Sequence, residues 1–290
     1  MILDTGSSVN VIQEAVAKEL ALAIVGQQPA GSSAGGVLLS APIYLLGDIQ
    51  FDHLPSEERF TVMSGLQAAS LNVPSPGSAG ILGRPFLDSF PVVEFAFSEA
   101  SDEIRLYASE DDIPLMAGKS RIPMSTLGIS GLWGVELSVT SLEKIVTLKA
   151  LVDTGAPTTI LNLAAAEALG LDAAAPPPPP PQEDGKGLLG GLMSKIAKQV
   201  PRASGLPGLR VSPTPLSLSI HLPLKQDSED VTISLDSSID LGSWRPLMGD
   251  LPGFTVLGVE KGEAAAILGL DALRSTGFLT FFPQSKEMLM

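Results

Sequence analysis

Asp4-Thr5-Gly6 recurs as Asp153-Thr154-Gly155, 149 residues further along the chain. The match continues without gaps as far as Leu22 and Leu171, with 7 identities in 19 positions. Composition alone gives roughly 0.07 copies of this triplet in the chain, so chance explains the pair poorly. We therefore interpret the 290 residues as an internal duplication, which agrees with about two domains of roughly 150 residues each.

A second repeat fixes where the two copies differ. Ile81-Leu82-Gly83 recurs as Ile267-Leu268-Gly269 at an offset of 186, which exceeds the first offset by 37 residues. The proline run 176–181 and the glycine-rich basic stretch after it have no counterpart in the first half. We predict a first domain over 1–118 and a second over 119–290, with an insertion at about 176–208.

Composition excludes several classes of function. The formal net charge of -14 and a pI near 4.5 argue against nucleic acid as a partner, because phosphate binding needs a basic surface. The absence of cysteine excludes disulfides and thiolate sites, and two histidines are too few for a multi-histidine metal cage. No uncharged apolar stretch reaches about 18 residues, so we predict no transmembrane segment. The compartment stays open.

The predicted secondary structure is mainly β, with one helix soon after each Asp-Thr-Gly. Asn10 and Gln13 resemble a capping box that opens a helix to about Leu22, and a second helix over 163–169 ends at Gly170. Runs of β-branched and aromatic residues predict strands at 37–46, 59–63, 92–97, 104–107, 135–139, 145–152, 216–222, 231–235 and 278–282.

Each Asp-Thr-Gly follows an apolar, strand-like segment, so each aspartate should lie on a tight loop at a strand end. Gly6 and Gly155 permit close approaches there that a Cβ would block. If the two halves pair about a pseudo-twofold axis, Asp4 and Asp153 face each other, and Thr5 and Thr154 can hydrogen-bond across the interface. Two carboxylates about 3 Å apart repel by roughly 5 kcal/mol, so near neutral pH the pair should share one proton. The ionised member can then take a proton from a bound water while the protonated member polarises a peptide carbonyl.

With these motifs the chain resembles the pepsin and retropepsin aspartic proteases, in particular two retropepsin-like halves fused in one chain. The resemblance implies two pseudo-twofold-related β-barrel lobes, each with a short helix. It implies an endopeptidase that hydrolyses a bound peptide or protein substrate with water held by Asp4 and Asp153, without a metal or organic cofactor. The catalytic loops would be supported by Thr5, Gly6, Ser7, Thr154, Gly155 and Ala156.

The same resemblance assigns roles to the glycine-containing segments. Ile81-Leu82-Gly83 and Ile267-Leu268-Gly269 would cross behind the catalytic loops and buttress them. A flap that closes over substrate would lie at 31–40, around Gly35 and Gly36, and a second at 205–212, around Gly205 and Gly208.

The chain departs from the family pattern in three respects. Ser7 follows the first triplet and Ala156 the second, so we expect a hydroxyl donor for Asp4 alone and a lower pKa for that residue. The flap tyrosine and disulfides of the pepsins have no counterparts, which favours the retropepsin comparison. A strand-forming segment over 121–151 precedes Asp153, whereas three residues precede Asp4, so we expect the first lobe to lack its opening hairpin, which puts activity in question.

Other interpretations stay open. The rival from another class is a catalytically inactive, protease-like binding scaffold, because fold does not guarantee activity. Two chains could also associate through the first lobe. The insertion at 176–208 could contact a partner or a lipid surface through an amphipathic helix over 189–200, or serve as a loosely packed spacer. The sequence 31–35 matches the G-x-S-x-G serine-hydrolase motif, with His221 as a nominal partner, but the strand pattern after it replaces the required helix.

Overall fold

The computed structural model describes residues 1–30, 39–50, 63–71, 77–98, 102–113, 121–128, 130–141, 144–171, 209–212, 215–221, 238–260 and 262–290. Within these ranges the chain is mainly β, and each helix is at most six residues long. The predicted flap glycines Gly35, Gly36, Gly205 and Gly208 lie outside the described residues, as do His53, the insertion at 176–208, the motif at 31–35 and the strand predicted at 231–235.

The strands of the first half, up to residue 112, are β1 (Ile2–Leu3), β2 (Val11–Ile12), β3 (Ile24–Ala30), β4 (Leu39–Leu45), β5 (Gln67–Ser70), β6 (Gly80–Leu82), β7 (Val92–Ala96) and β8 (Glu103–Tyr107). Those of the second half are β9 (Ile122–Pro123), β10 (Ser125–Leu127), β11 (Leu132–Thr140), β12 (Ile145–Val152), β13 (Ile160–Leu161), β14 (Arg210–Val211), β15 (Leu216–His221), β16 (Ser238–Trp244), β17 (Leu247–Met248), β18 (Ala265–Leu268), β19 (Phe278–Phe282) and β20 (Glu287–Leu289). The α-helices are α1 (Glu14–Glu19), α2 (Arg84–Leu87), α3 (Leu163–Ala168), α4 (Pro252–Val256) and α5 (Leu270–Leu273), and short 3-10 turns occupy Glu110–Asp112 and Arg274–Thr276.

Two sheets carry the repeated motifs. The first has the strand order β1-β6-β2-β5-β4-β3, and the second has the order β14-β17-β13-β18-β12-β11-β15-β16, with β10 paired to β11. In both sheets the strand before Asp-Thr-Gly runs parallel to the strand that contains the Ile-Leu sequence of the Ile-Leu-Gly motif. These pairs are β1 with β6 and β12 with β18. The same parallel pairing therefore positions both aspartate loops.

A third sheet, which we call the seam sheet, joins the last strands of the first half to the first and last strands of the second half. Its strand order is β8-β7-β19-β20-β9, so strands of the first half hydrogen-bond directly to strands near residue 280. Because side chains alternate along a strand, its two faces differ. Phe95 and Phe281 pack on the inner face beside Trp133, and Val92, Phe282 and Leu289 form a separate apolar cluster on the outer face.

The core face of the hairpin β11–β12 is apolar. Leu137, Val139 and Leu148 are buried, and the β15 residues paired with Leu137 and Val139, Ile220 and Leu218, are buried beside them. Side chains two residues apart on a strand share one face, so Leu137 and Val139 face the core together. Within the described ranges, no helix is both long enough and apolar enough to span a membrane.

Most predicted strands in the described ranges are confirmed. The strands at 145–152 and 278–282 agree to the residue, and β7 and β8 agree to within one. The predicted capping box at Asn10 is wrong. Residues 11–12 form β2, helix α1 begins at Glu14, and the side chain of its N-cap residue, Gln13, makes no capping hydrogen bond.

Candidate active site

The two aspartate loops begin in the same way. The backbone N–H of Asp4 donates to the Leu82 carbonyl at 3.1 Å, and that of Asp153 donates to the Leu268 carbonyl at 3.0 Å. Each bond continues the parallel pairing described above, so each aspartate lies where its strand ends. Both side chains are partly exposed at that position.

Thr5 and Thr154 join the loops by reciprocal hydrogen bonds. The N–H of Thr5 donates to the Thr154 hydroxyl at 3.1 Å, and the N–H of Thr154 donates to the Thr5 hydroxyl at 3.0 Å. Each hydroxyl also donates into the opposite half, Thr5 to the Val152 carbonyl at 2.8 Å and Thr154 to the Leu3 carbonyl at 3.2 Å. Both threonines are buried, so these bonds hold the loops in fixed register.

The glycines allow the loops to interpenetrate. A Cβ built on Gly6 would lie 2.4 Å from the Asp153 carboxyl carbon, and one on Gly155 would lie 2.4 Å from the Asp4 carboxyl carbon. Both separations are far shorter than van der Waals contact. The glycine backbones also serve their own loops, since the N–H of Gly6 donates to Asp4 Oδ1 and that of Gly155 to Asp153 Oδ1, each at 2.8 Å.

The structure brings the Asp4 and Asp153 carboxyl groups into hydrogen-bonding contact with each other. The pKa of Asp153 is raised to about 7, mainly by burial and in addition by the neighbouring Asp4 charge. Burial also raises the pKa of Asp4, opposed by hydrogen bonds from Asp153, Gly6 and Gly155. A hydrogen bond between two carboxyl groups requires a proton on one of them, and we place that proton on Asp153.

The two Ile-Leu-Gly segments, 81–83 and 267–269, lie directly behind the aspartate loops. A Cβ on Gly83 would lie 2.5 Å from the Ser7 carbonyl oxygen, and one on Gly269 would lie 2.9 Å from that of Ala156. The same two carbonyls accept the next backbone N–H groups, from Arg84 at 2.9 Å and from Leu270 at 2.8 Å. Residues 81–84 and 267–270 therefore lie against the aspartate loops, with backbone hydrogen bonds to them.

Two polar side chains lie beneath the loops, and the sequence did not predict this role for either of them. The Asn10 side chain accepts from the N–H of Gly83 at 3.0 Å, and the Thr159 hydroxyl accepts from that of Gly269 at 3.1 Å. These residues are 149 positions apart, so the first repeat offset already paired them. Asp271 completes the second arrangement, since its Oδ1 accepts from the N–H and the hydroxyl of Thr159, at 2.9 and 2.7 Å.

Ser7 does not play the part expected from the sequence. Its hydroxyl donates to the Val9 carbonyl at 2.7 Å, so it does not supply the donor that we expected to lower the pKa of Asp4. Asp153 instead receives the additional loop hydrogen bond, from the N–H of Ala156 at 3.0 Å. Among the described residues, no three histidine or acidic side chains converge on a metal-sized site.

Comparison with family models found no match, and comparison with curated proteins found none either. Among solved structures, the basic 7S globulin from soybean is similar over 99% of this chain and 87% of its own, with a TM-score of 0.45 and 11% sequence identity. A likeness of this degree does not bear on function.

Proposed function

We propose that the chain is an aspartic endopeptidase of the pepsin and retropepsin type. The observation that carries the proposal is the contact between the Asp4 and Asp153 carboxyl groups on two loops locked together by Thr5 and Thr154. A proton-sharing carboxyl pair at a partly exposed site supplies an acid and a base side by side. No metal or organic cofactor is part of the proposal.

The proposed chemistry uses one water molecule and one proton on the pair. Asp4, ionised, takes a proton from the water as its oxygen attacks the peptide carbonyl carbon. Asp153, protonated, gives its proton to the carbonyl oxygen, so a neutral gem-diol forms. Collapse of the gem-diol returns a proton to Asp153, and Asp4 passes its proton to the leaving nitrogen. The pair ends in its starting state.

The proposal includes the arrangement of the chain. Residues 1–118 and 119–290 are two retropepsin-like lobes, with 81–83 and 267–269 as buttresses behind the catalytic loops. The support is that both aspartate loops share the parallel strand pairing, the glycine contact and the underlying polar side chain. An extended peptide would lie between the lobes, over both aspartates.

The decisive test measures peptide-bond cleavage by the full chain. Unfolded protein substrate is incubated with the wild type, with Asp4→Asn, with Asp153→Asn and with the surface control Asp112→Asn, and new amino termini are counted by mass spectrometry. We expect each dyad variant to lose at least about a hundredfold in rate, because the acid or the base is missing. The control should cleave as the wild type does, since Asp112 is exposed and remote in sequence from both loops.

Two outcomes separate catalysis from a binding scaffold. Cleavage that rises and then falls with pH supports the dyad, with the falling limb near pH 7 where Asp153 loses its proton. Absence of cleavage by the wild type across pH 3 to 8, combined with saturable binding of the same peptides, would favour the inactive scaffold. A rate that climbs steadily into alkaline pH would contradict the carboxyl pair.

A further inference from the structure

A second polar pair lies in the seam sheet, away from the aspartate loops. Glu94 on β7 and Thr280 on β19 stand directly opposite each other in the strand register. Both side chains are buried, at 1% and 0% exposure. They sit on the outer face of the sheet, whose neighbouring members Val92, Phe282 and Leu289 are apolar. The two halves of the chain therefore meet here through a polar pair in apolar surroundings.

One oxygen of Glu94 is satisfied and the other is not. Oε1 accepts from Arg105 Nη1 at 2.6 Å, a charge-assisted bond between a guanidinium and a carboxylate. Oε2 has no hydrogen-bond partner among the described residues, and neither has the Thr280 hydroxyl. An unsatisfied buried polar atom costs about 1–3 kcal/mol, and a charged one costs more, so native structures rarely leave two side by side.

The chemistry of the pair selects its partner. Oε2 of an ionised carboxylate can only accept, and the Thr280 hydroxyl can both donate and accept. The Arg105 guanidinium already lies against the carboxylate and would repel a second cation. The carboxylate itself repels an anion. A small neutral molecule that donates at least one hydrogen bond is the remaining class.

We propose that the seam sheet binds an internal water molecule between Glu94 Oε2 and Thr280 Oγ1. The water donates one hydrogen to Oε2 and bonds to the hydroxyl with its other hydrogen or a lone pair. Buried waters commonly make about three bonds to groups that would otherwise be unpaired. Cross-strand neighbours have Cβ atoms about 4.5–5.5 Å apart, a spacing that one bridging water can span. This water joins a strand of the first half to a strand of the second.

Replacement of Thr280 by valine distinguishes a bound water from an unpaired hydroxyl by the sign of its effect. If the hydroxyl holds a water that also serves Oε2, Thr280→Val leaves that carboxylate oxygen bare. The unfolding equilibrium constant should then rise about fivefold or more. If the hydroxyl is simply unpaired, the same change removes a buried polar atom without loss, and the constant should stay level or fall. Urea unfolding of the full chain measures it, with exposed Thr126→Val as the control, expected within about twofold of wild type.

A crystal structure tests for the same water directly, whether or not Thr280→Val folds. A crystal structure of the full chain at about 1.5 Å resolution or better should show a well-ordered water within hydrogen-bonding distance of both oxygens. A direct hydrogen bond from the Thr280 hydroxyl to Oε2 would overturn the proposal, as would an unoccupied map at this position. In a Glu94→Leu background the destabilising effect of Thr280→Val should vanish; an undiminished effect would also count against the water.

Discussion

At the scale of single residues, the Asp153 proton links the proposed catalysis to stability. The folded chain keeps this proton up to about pH 7, whereas an aspartate in the unfolded chain loses it near pH 4. Between these values the folded state binds more protons, so stability falls as pH rises and the contribution is lost above pH 7. Asp153→Asn removes this dependence.

We therefore expect Asp153→Asn to gain stability relative to wild type between pH 4 and pH 8, on the order of 1–3 kcal/mol. Urea unfolding at both pH values measures the difference, with Asp112→Asn as a control whose pH dependence should follow the wild type. A constant difference at the two pH values would show that Asp153 carries no raised pKa.

Gly6 and Gly155 allow the two aspartate loops to approach each other closely. Alanine at either position places a methyl group 2.4 Å from the opposite carboxyl carbon, so the two loops must move apart. We expect Gly6→Ala and Gly155→Ala each to lower cleavage at least about a hundredfold, because misplacement by about 1 Å costs this much. Gly47→Ala is the matched control, since nothing lies within 4 Å of its added Cβ. Wild-type cleavage by Gly6→Ala would mean that the loops are further apart than described.

At the scale of elements, the two halves use different polar side chains to accept the N–H groups of Gly83 and Gly269. Asn10 alone serves Gly83, whereas Thr159 serves Gly269 and is itself held by Asp271. Asp271 Oδ1 also accepts from the N–H of Ala272, the next residue of helix α5, at 2.8 Å. At the equivalent position, 186 residues earlier, the chain has Pro85, so only the second half depends on a carboxylate.

Asp271→Ala should destabilise the chain by about 1–3 kcal/mol, because the N–H and the hydroxyl of Thr159 lose their acceptor. Asp271→Asn keeps one oxygen and should recover more than half of the loss. Thermal unfolding of the three proteins measures both effects. Equal losses in the alanine and asparagine variants would show that the negative charge, rather than the hydrogen-bond acceptor, matters at this position.

The elements also show what the sequence could predict and why it failed elsewhere. The aspartate loops were predictable because the duplication aligns Asp4 with Asp153 directly. The start of α1 was not, because Asn10 and Gln13 satisfy a local capping rule while the long-range need of Gly83 takes the Asn10 side chain instead. Tertiary pairing also converts residues 11–12 into β2, between β6 and β5.

At the scale of the whole molecule, the pairing of strands in the seam sheet had no sequence signal. Three of its strands were predicted from β-branched and aromatic residues, at 92–97, 104–107 and 278–282, whereas β9 and β20 were not, and nothing local indicates that β7 pairs with β19. A further contact that crosses the halves is equally non-local. Arg84, which directly follows the first buttress, reaches residues 131–133.

Arg84 connects the two halves of the chain through its planar guanidinium group. Its Nε and Nη2 bond to Asp88, each at 2.7 Å, and its Nη1 donates to the Gly131 carbonyl at 2.7 Å. The guanidinium lies 3.8 Å from the ring centroid of Trp133, which stacks on Phe281 of the seam sheet. The position 186 residues later is Leu270, so the second Ile-Leu-Gly segment is not followed by an arginine.

Lysine cannot reproduce the forked hydrogen bonds of the Arg84 guanidinium or its stacking on the Trp133 ring. We expect Arg84→Lys to lower stability by about 1–3 kcal/mol and, in a Trp244→Phe background, to shift Trp133 fluorescence to the red as water reaches the ring. Arg121→Lys is the comparison, because Arg121 makes two ion pairs and, like Arg84, lies over an aromatic ring, that of Phe282. Its side chain is 42% exposed, so the change should cost no more than about 1 kcal/mol. If Arg84→Lys leaves both stability and fluorescence unchanged, the halves are held together by the seam sheet and the threonine bonds without this residue.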